Sequence, residues 1–198
     1  MEILEYCRAE AAEHLDVLQR VGTMDLTPFR RLVEASQRSL GTGGKLLFFG
    51  NGGSAADAQH LATELTVRYR TNRPALAAIA LTTDTSTLTA IGNDFGFDDL
   101  FGRQAEALCR REDVAIGFST SGNSENVIRG LKMARSRGAF TAAFTGGDGG
   151  RIVGHADSAI VIPSSNTARI QEMHILLGHA LCGLLERAPL RRPDEAAE

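Results

Sequence analysis

Two short segments of the chain combine glycine with hydroxyl and amide side chains: Gly50-Asn51-Gly52-Gly53-Ser54 and Ser119-Thr120-Ser121-Gly122-Asn123-Ser124. Glycine lets a backbone approach a ligand closely and reach conformations other residues avoid. A helix that starts after such a loop offers N–H groups and the positive end of its dipole. The serine and threonine hydroxyls add donors without adding charge. Together these features suit a phosphate monoester. Neither segment is a Walker A loop, which needs Gly-Lys-Ser/Thr. The first is not the GxGxxG dinucleotide fingerprint either, because Gly50, Gly52 and Gly53 run on into Ser54-Ala55. One such loop alone reads as a turn and a helix cap; two on one sheet edge point to a ligand.

Between and beyond these loops lie the candidate acids, bases and metal ligands. His60 and Glu64 are four residues apart, so on a helix they share a face and can meet one ion or one substrate. Asp57 falls in the first turn of that helix, where the dipole favours an acid. Gln171, Glu172, His174 and His179 follow near the C-terminal end. Gln171 and His174 share a face, whereas Gln171 and His179 are about 12 Å apart along a helix axis. That spacing leaves open whether the last two converge. His174 alone reads as a packed or capping histidine, and His14 and His155 as structural or surface residues.

Composition excludes several other chemistries. The chain has 198 residues, a formal charge of -3 and no basic run that would suit nucleic acid or an anionic membrane. Only Lys45 and Lys132 are lysines, which argues against a Schiff-base mechanism. Cys7, Cys109 and Cys182 are scattered and read as buried small hydrophobes in a reducing compartment. The acidic, amphipathic N-terminus does not read as a signal peptide, and no apolar run spans a bilayer. A cytoplasmic protein is the expectation.

The elements that position these residues follow from periodicity. Residues 2–21 and about 27–41 carry apolar positions at helical spacing: Ile3, Cys7, Ala11, Leu15 and Leu18, then Phe29, Leu32, Val33 and Leu40. Asp25 and Thr27 are placed to cap the second helix. Short apolar runs at Leu46–Phe49, Leu76–Leu81, Val114–Phe118, Phe140–Phe144 and Ala159–Ile162 each lead into a polar turn and a helical stretch. Those helices are expected from Ser54 to Thr66, after Leu81, from Asn123 to Arg137, briefly after Gly150, and from Thr167 to Glu186. The pattern predicts an α/β fold: a five-stranded parallel sheet with helices on both faces and the Ser/Gly loops at its carboxyl edge. One domain is expected over 1–187, including a helical segment 1–43, with a flexible tail at 188–198.

GNGGSAADAQH, STSGNS and RIQEMH, in this order and at these separations, resemble the sugar isomerase (SIS) superfamily. RYRTNRP at 68–74 and NDFGFDDLF at 93–101 extend the likeness over nearly the whole chain, and the five motifs together are similar to those of its phosphoheptose isomerases. The resemblance implies a Rossmann-like three-layer SIS fold and conversion of sedoheptulose 7-phosphate to D-glycero-D-manno-heptose 7-phosphate through an enediol(ate), for heptose precursor biosynthesis. It implies sugar contacts from Asn51, Gly52, Gly53, Ser54, Asn93 and Asp94, and a phosphate held by Ser119, Thr120, Ser121 and Ser124. His60, Glu64, Gln171 and His179 correspond to ligands of one zinc per subunit, with Glu64 and Gln171 also meeting substrate and Glu64 and His179 as the acid/base pair. A homotetramer with active sites between subunits is implied too, with no nucleic-acid or membrane partner.

The chemistry of the residues agrees with that implication. An aldose–ketose isomerisation moves a proton between C1 and C2 and needs a base above those carbons. Glu64 suits that task, and His179 can assist ring opening or carry the O1/O2 proton. His, Glu and Gln ligands fit an open catalytic metal site better than a closed structural one. One departure is Ala168, where some members of the family carry an acid. A second is Ser164-Ser165-Asn166-Thr167, which resembles a subgroup with non-catalytic members. The alternative is therefore a non-enzymatic SIS protein that binds the bacterial replication initiator. That relative lacks Glu and His at the positions of Glu64 and His179. A sugar-sensing regulator is disfavoured because residues 1–45 are too short and acidic for a helix-turn-helix domain. An N-acetylmuramic acid phosphate etherase is disfavoured by its different loop motifs.

Overall fold

The run Leu46–Gly50 forms the first strand, β1, buried along its whole length. Its side chains alternate between two cores: Leu46 and Phe48 face one, Leu47 and Phe49 the other. A strand covered on both faces reads as a continuous apolar run, and β3 (Val114–Phe118) repeats the pattern. The structure, a computed structural model, describes residues 2–189. Residues 190–198 of the expected tail lie outside the described residues.

Chain order is α1 (Ile3–Thr23), α2 (Thr27–Gly41), β1, α3 (Gly53–Thr66), β2 (Ala78–Ala80), α4 (Thr85–Asp94), α5 (Leu100–Leu108), β3, α6 (Glu125–Ser136), β4 (Phe140–Gly146), β5 (Ser158–Ile162) and α7 (Thr167–Glu186). Short 3₁₀ segments span Phe97–Asp99 and Arg151–His155. The five strands pair in parallel in the order β2-β1-β3-β4-β5. Residues of α1, α2, α3 and α7 pack on one face of the sheet, and residues of α4, α5 and α6 on the other. The order reverses between β1 and β3, so a crevice opens there beyond the carboxyl ends of the strands. The two Ser/Gly loops follow those two strands.

Several expected elements differ in extent. The strand expected over Leu76–Leu81 narrows to Ala78–Ala80 at the sheet edge, because the N–H of Leu76 is taken by Leu65 O at the end of α3. The helical stretch after Leu81 is split into α4 and α5 by Gly96 and the 3₁₀ segment beside it. Helix α6 starts at Glu125 rather than Asn123, whose N–H instead meets Ser121 Oγ at 3.2 Å in a local turn. The expected caps of α2 are shifted: Leu26 occupies the cap position without a side-chain bond, Thr27 is already the first helical residue, and Asp25 Oδ1 accepts the Thr27 N–H at 2.9 Å from one position further out.

The largest departure concerns α1. Only Val17 and Val21 of that helix are buried, while Ile3, Leu15 and Cys7 are exposed. The expectation of three buried cysteines therefore holds for Cys109 and Cys182 and fails for Cys7. The physical reason is that the middle of α1 meets α7 through polar groups. Asn166 bonds the Glu13 carboxylate, Arg169 takes Glu10 O and the Glu10 carboxylate, and His14 Nδ1 lies 2.7 Å from Glu172 Oε2.

Candidate functional site

In the sheet Gly50 pairs with Phe118, so the two Ser/Gly loops leave it side by side. Asn51 and Asn126 join them by exchanging two amide hydrogen bonds, each 2.8 Å. In the second loop Ser119 and Ser124 hydroxyls are 3.0 Å apart, and the Ser124 N–H reaches Ser119 Oγ at 3.4 Å. Gly122 turns there at φ 66°, and a Cβ on it would run into Gly149 O of the loop after β4. That neighbouring loop also gives the Ile152 N–H to Gly122 O at 2.9 Å. The second loop is thus braced from behind.

Helices α3 and α6 both begin without a side-chain cap, at Gly52 and Ser124 respectively. Both starts lie at the carboxyl edge of the sheet, where a helix dipole end suits an anion, although in α3 the N–H groups of Ser54 and Ala55 turn back on Asn51 O and Gly52 O. Gln171 of α7 lies over the first loop: its amide occupies the space a Cβ on Gly53 would need. Asn93 and Asp94 sit exposed at the end of α4 and bond each other, Nδ2 to Oδ1 at 2.7 Å. Among the described residues, no hydrogen bond links that pair to either loop.

Helices α3 and α7 cross where Leu61 packs on Gly178. A Cβ at Gly178 would lie 2.6 Å from Leu61 Cδ1, so only a bare backbone permits the approach. The residues next to that contact are His60 and His179, whose Nε2 atoms are 2.7 Å apart. Glu64 Oε1 is 3.4 Å from His60 Nε2, one helical turn on. One ligand atom from each of the three residues lies within 4.8 Å of the others. Two imidazole nitrogens this close need either a proton or a cation between them. Two nitrogens and a carboxylate oxygen are a donor set that can hold a metal ion such as zinc. Burial, and then the neighbouring His60, hold the His179 imidazole below its ordinary pKa, against the opposing pull of Glu64. One turn before His60, burial pushes the Asp57 carboxyl up to about 6, and its Oδ2 has no hydrogen-bond partner.

His174 stays away from this cluster. It is fully buried, its Nε2 donating to Thr145 O at 3.1 Å, in keeping with its reading as a packed histidine.

Comparison with known proteins gives the geometry a context. Residues 11–146 match the family model described as SIS domain. A protein named phosphoheptose isomerase from Paramagnetospirillum magneticum is 58% identical over 186 residues, covering 94% of this chain and 97% of the relative. Another of that name, from Aquifex aeolicus, is 60% identical over 154 residues, covering 78% of this chain and 81% of its own. The chain belongs to the phosphoheptose isomerases of the SIS domain family. A solved phosphoheptose isomerase from Neisseria gonorrhoeae superposes with a TM-score of 0.89 at 46% identity, covering 94% of this chain and all of that one.

Membership in the phosphoheptose isomerases makes the chain an enzyme of the aldose–ketose isomerase type and its sheet an SIS fold. No helix among the described residues is long and apolar enough to cross a membrane. Within this isomerase several residues around the cluster went unsignalled in the sequence. Asn126 has no motif of its own beyond lying two residues past STSGNS, and its pairing with Asn51 appears only once β1 and β3 are neighbours. Tyr69 and Arg73 lie in RYRTNRP, a segment whose likeness to the family was visible but whose task was not. Glu186 ends the last helix with no local signal.

Proposed function

We propose that the chain converts sedoheptulose 7-phosphate to D-glycero-D-manno-heptose 7-phosphate through an enediol(ate), supplying heptose precursors in the cytoplasm. The observation that carries this reading is the convergence of His60, Glu64 and His179, on the helix that follows the first Ser/Gly loop and on α7, within 4.8 Å of one another. The same convergence favours catalysis over binding of the replication initiator, since it needs the Glu and His that the binding protein lacks.

In this reading the phosphate rests on Ser119, Thr120, Ser121 and Ser124, where hydroxyls and the start of α6 offer charge-free donors. Asn51, Gly52, Gly53, Ser54, Asn93 and Asp94 contact the sugar. Glu64 moves the proton between C1 and C2, and His179 carries the proton between O1 and O2 or assists ring opening. His60, Glu64, Gln171 and His179 would hold one zinc, which when bound supplies Lewis-acid stabilisation of negative charge on the sugar oxygens. Gln171 sits over the first loop, so it can meet the sugar as well as an ion. One SIS domain spans 1–187, including the helical segment 1–43, and assembles as a homotetramer with sites between subunits. The outward apolar residues of α1 support such an assembly.

The test is turnover. Purified protein given sedoheptulose 7-phosphate should form the aldose product, and Glu64→Gln should lose at least about a hundredfold in kcat, the scale of a missing acid/base group. The variant should still bind the sugar phosphate. Near-normal kcat in Glu64→Gln would remove Glu64 as the base.

A further inference from the structure

The segment between α3 and β2 has no part in the roles above, yet it touches both helices that carry the cluster. Arg73 donates to Glu64 O and Leu65 O, each at 2.8 Å, closing the last carbonyls of α3. The Glu186 carboxylate near the end of α7 accepts the N–H groups of Tyr69, Arg70 and Thr71 at 3.0–3.1 Å. Arg73 Nε stands 3.6 Å from the same carboxylate. The segment is therefore fastened to the end of α3, which bears Glu64, and to the end of α7, which bears His179.

What this fastening holds in place is a ring. Tyr69 stacks on His179 with centroids 5.4 Å apart and planes at 19°. Arg70 covers Tyr69 at 4.9 Å from its ring centroid. The His60 ring meets His179 edge-on, at 4.9 Å and 73°. Room for the tyrosine comes from Gly183, one turn beyond His179, where a Cβ would be 3.3 Å from Tyr69 Cε1. An imidazole can otherwise turn freely about its Cβ–Cγ bond, a soft and broad torsion. A flat neighbour over its face restricts that turn.

We infer that residues 67–73 clamp the ends of α3 and α7 together, and that Tyr69 is the positioning residue for the His179 ring. The inference deepens the reading of His179 as ligand and acid/base group, and rests on it. Tyr69 touches neither ion nor substrate in this role; it fixes where the His179 nitrogen points, as outer partners of metal-binding histidines do.

The test compares Tyr69→Leu, which keeps apolar bulk but no ring, with Tyr69→Phe, which keeps the ring and loses the hydroxyl. Zinc affinity is measured by chelator competition on the full chain, alongside kcat and KM for sedoheptulose 7-phosphate. Tyr69→Leu should weaken zinc by about tenfold to a hundredfold and lower kcat in step, with KM changed less than about twofold; Tyr69→Phe should restore both. Wild-type zinc affinity and kcat in Tyr69→Leu would overturn the inference, as would equal damage in Tyr69→Phe. Gly183→Val leaves Tyr69 intact and should displace its ring, giving the same loss if Tyr69→Leu does not fold; a wild-type Gly183→Val would count against the clamp. The His179 ring nitrogens, followed by NMR in metal-free protein, separate this inference from the reading beneath it. Signals that broaden in Tyr69→Leu support the clamp even if the wild type binds no zinc; signals identical to wild type overturn it.

Discussion

His174 lies among Phe118 and Phe144, with ring centroids at 5.9 and 5.6 Å, and burial pushes its pKa from 6.5 down to about 4. Its Nε2–H is spent on Thr145 O, and its Nδ1 has no partner, as befits a neutral ring in an apolar pocket. The sign of its effect on stability follows directly. Above pH 6.5 folded and unfolded chains both hold the ring neutral, and its contribution is constant. As pH falls from 6.5 towards about 4, the unfolded chain takes up a proton that the folded chain refuses. Stability is lost across that window, by about 3 kcal/mol at its acid end. His174→Gln should flatten this part of the pH profile, read as denaturant midpoints across the window. An unchanged slope would assign the acid sensitivity to other groups. The sequence placed His174 and His179 on one helix, five residues apart; that one is core and the other a candidate ligand depends on which side of α7 faces the sheet.

At the scale of elements, the meeting of α3 and α7 decides whether there is a cluster at all. His60 and Glu64 were legible as a pair because helical spacing alone puts them on one face. His179 was not legible as their partner from spacing, since nothing in the sequence states that α7 crosses α3 at Leu61 and Gly178. The crossing is a packing event, and a single methyl group should disturb it. In Gly178→Ala the new Cβ would sit 2.6 and 2.7 Å from the two Leu61 methyls, both fully buried. The expected cost is about 1–3 kcal/mol from overpacking, and the proposed zinc site should weaken as His60 and His179 separate. Leu61→Ala removes the clash but opens a cavity, at about 2–5 kcal/mol by itself. The double variant should therefore be more stable than the sum of the singles predicts, because the two residues share one contact. Strict additivity in thermal unfolding would mean that the helices do not meet through this pair.

Across the whole molecule, the strand count and parallel direction were legible because each strand is a short apolar run closed by a polar turn. The strand order was not, since it depends on which strands neighbour one another in space. Helix α1 misled for a related reason: its apolar spacing is real, but much of it faces away from this chain's core. Ile3, Leu4, Tyr6 and Leu15 are 82%, 66%, 53% and 53% exposed, while α1 meets α7 through Glu10, Glu13 and His14. A helix that buries only Val17 and Val21 and leaves these four apolar residues exposed is expected to pack on another copy. If the proposed tetramer packs through these residues, replacing Leu4 and Leu15 by Glu should lower the mass seen by light scattering, leaving the single-chain fold intact by circular dichroism. If sites lie between subunits, kcat should fall with the tetramer fraction and recover at high protein concentration. A smaller species with full activity would show instead that one chain builds its site alone, from the cluster that α3 and α7 already bring together.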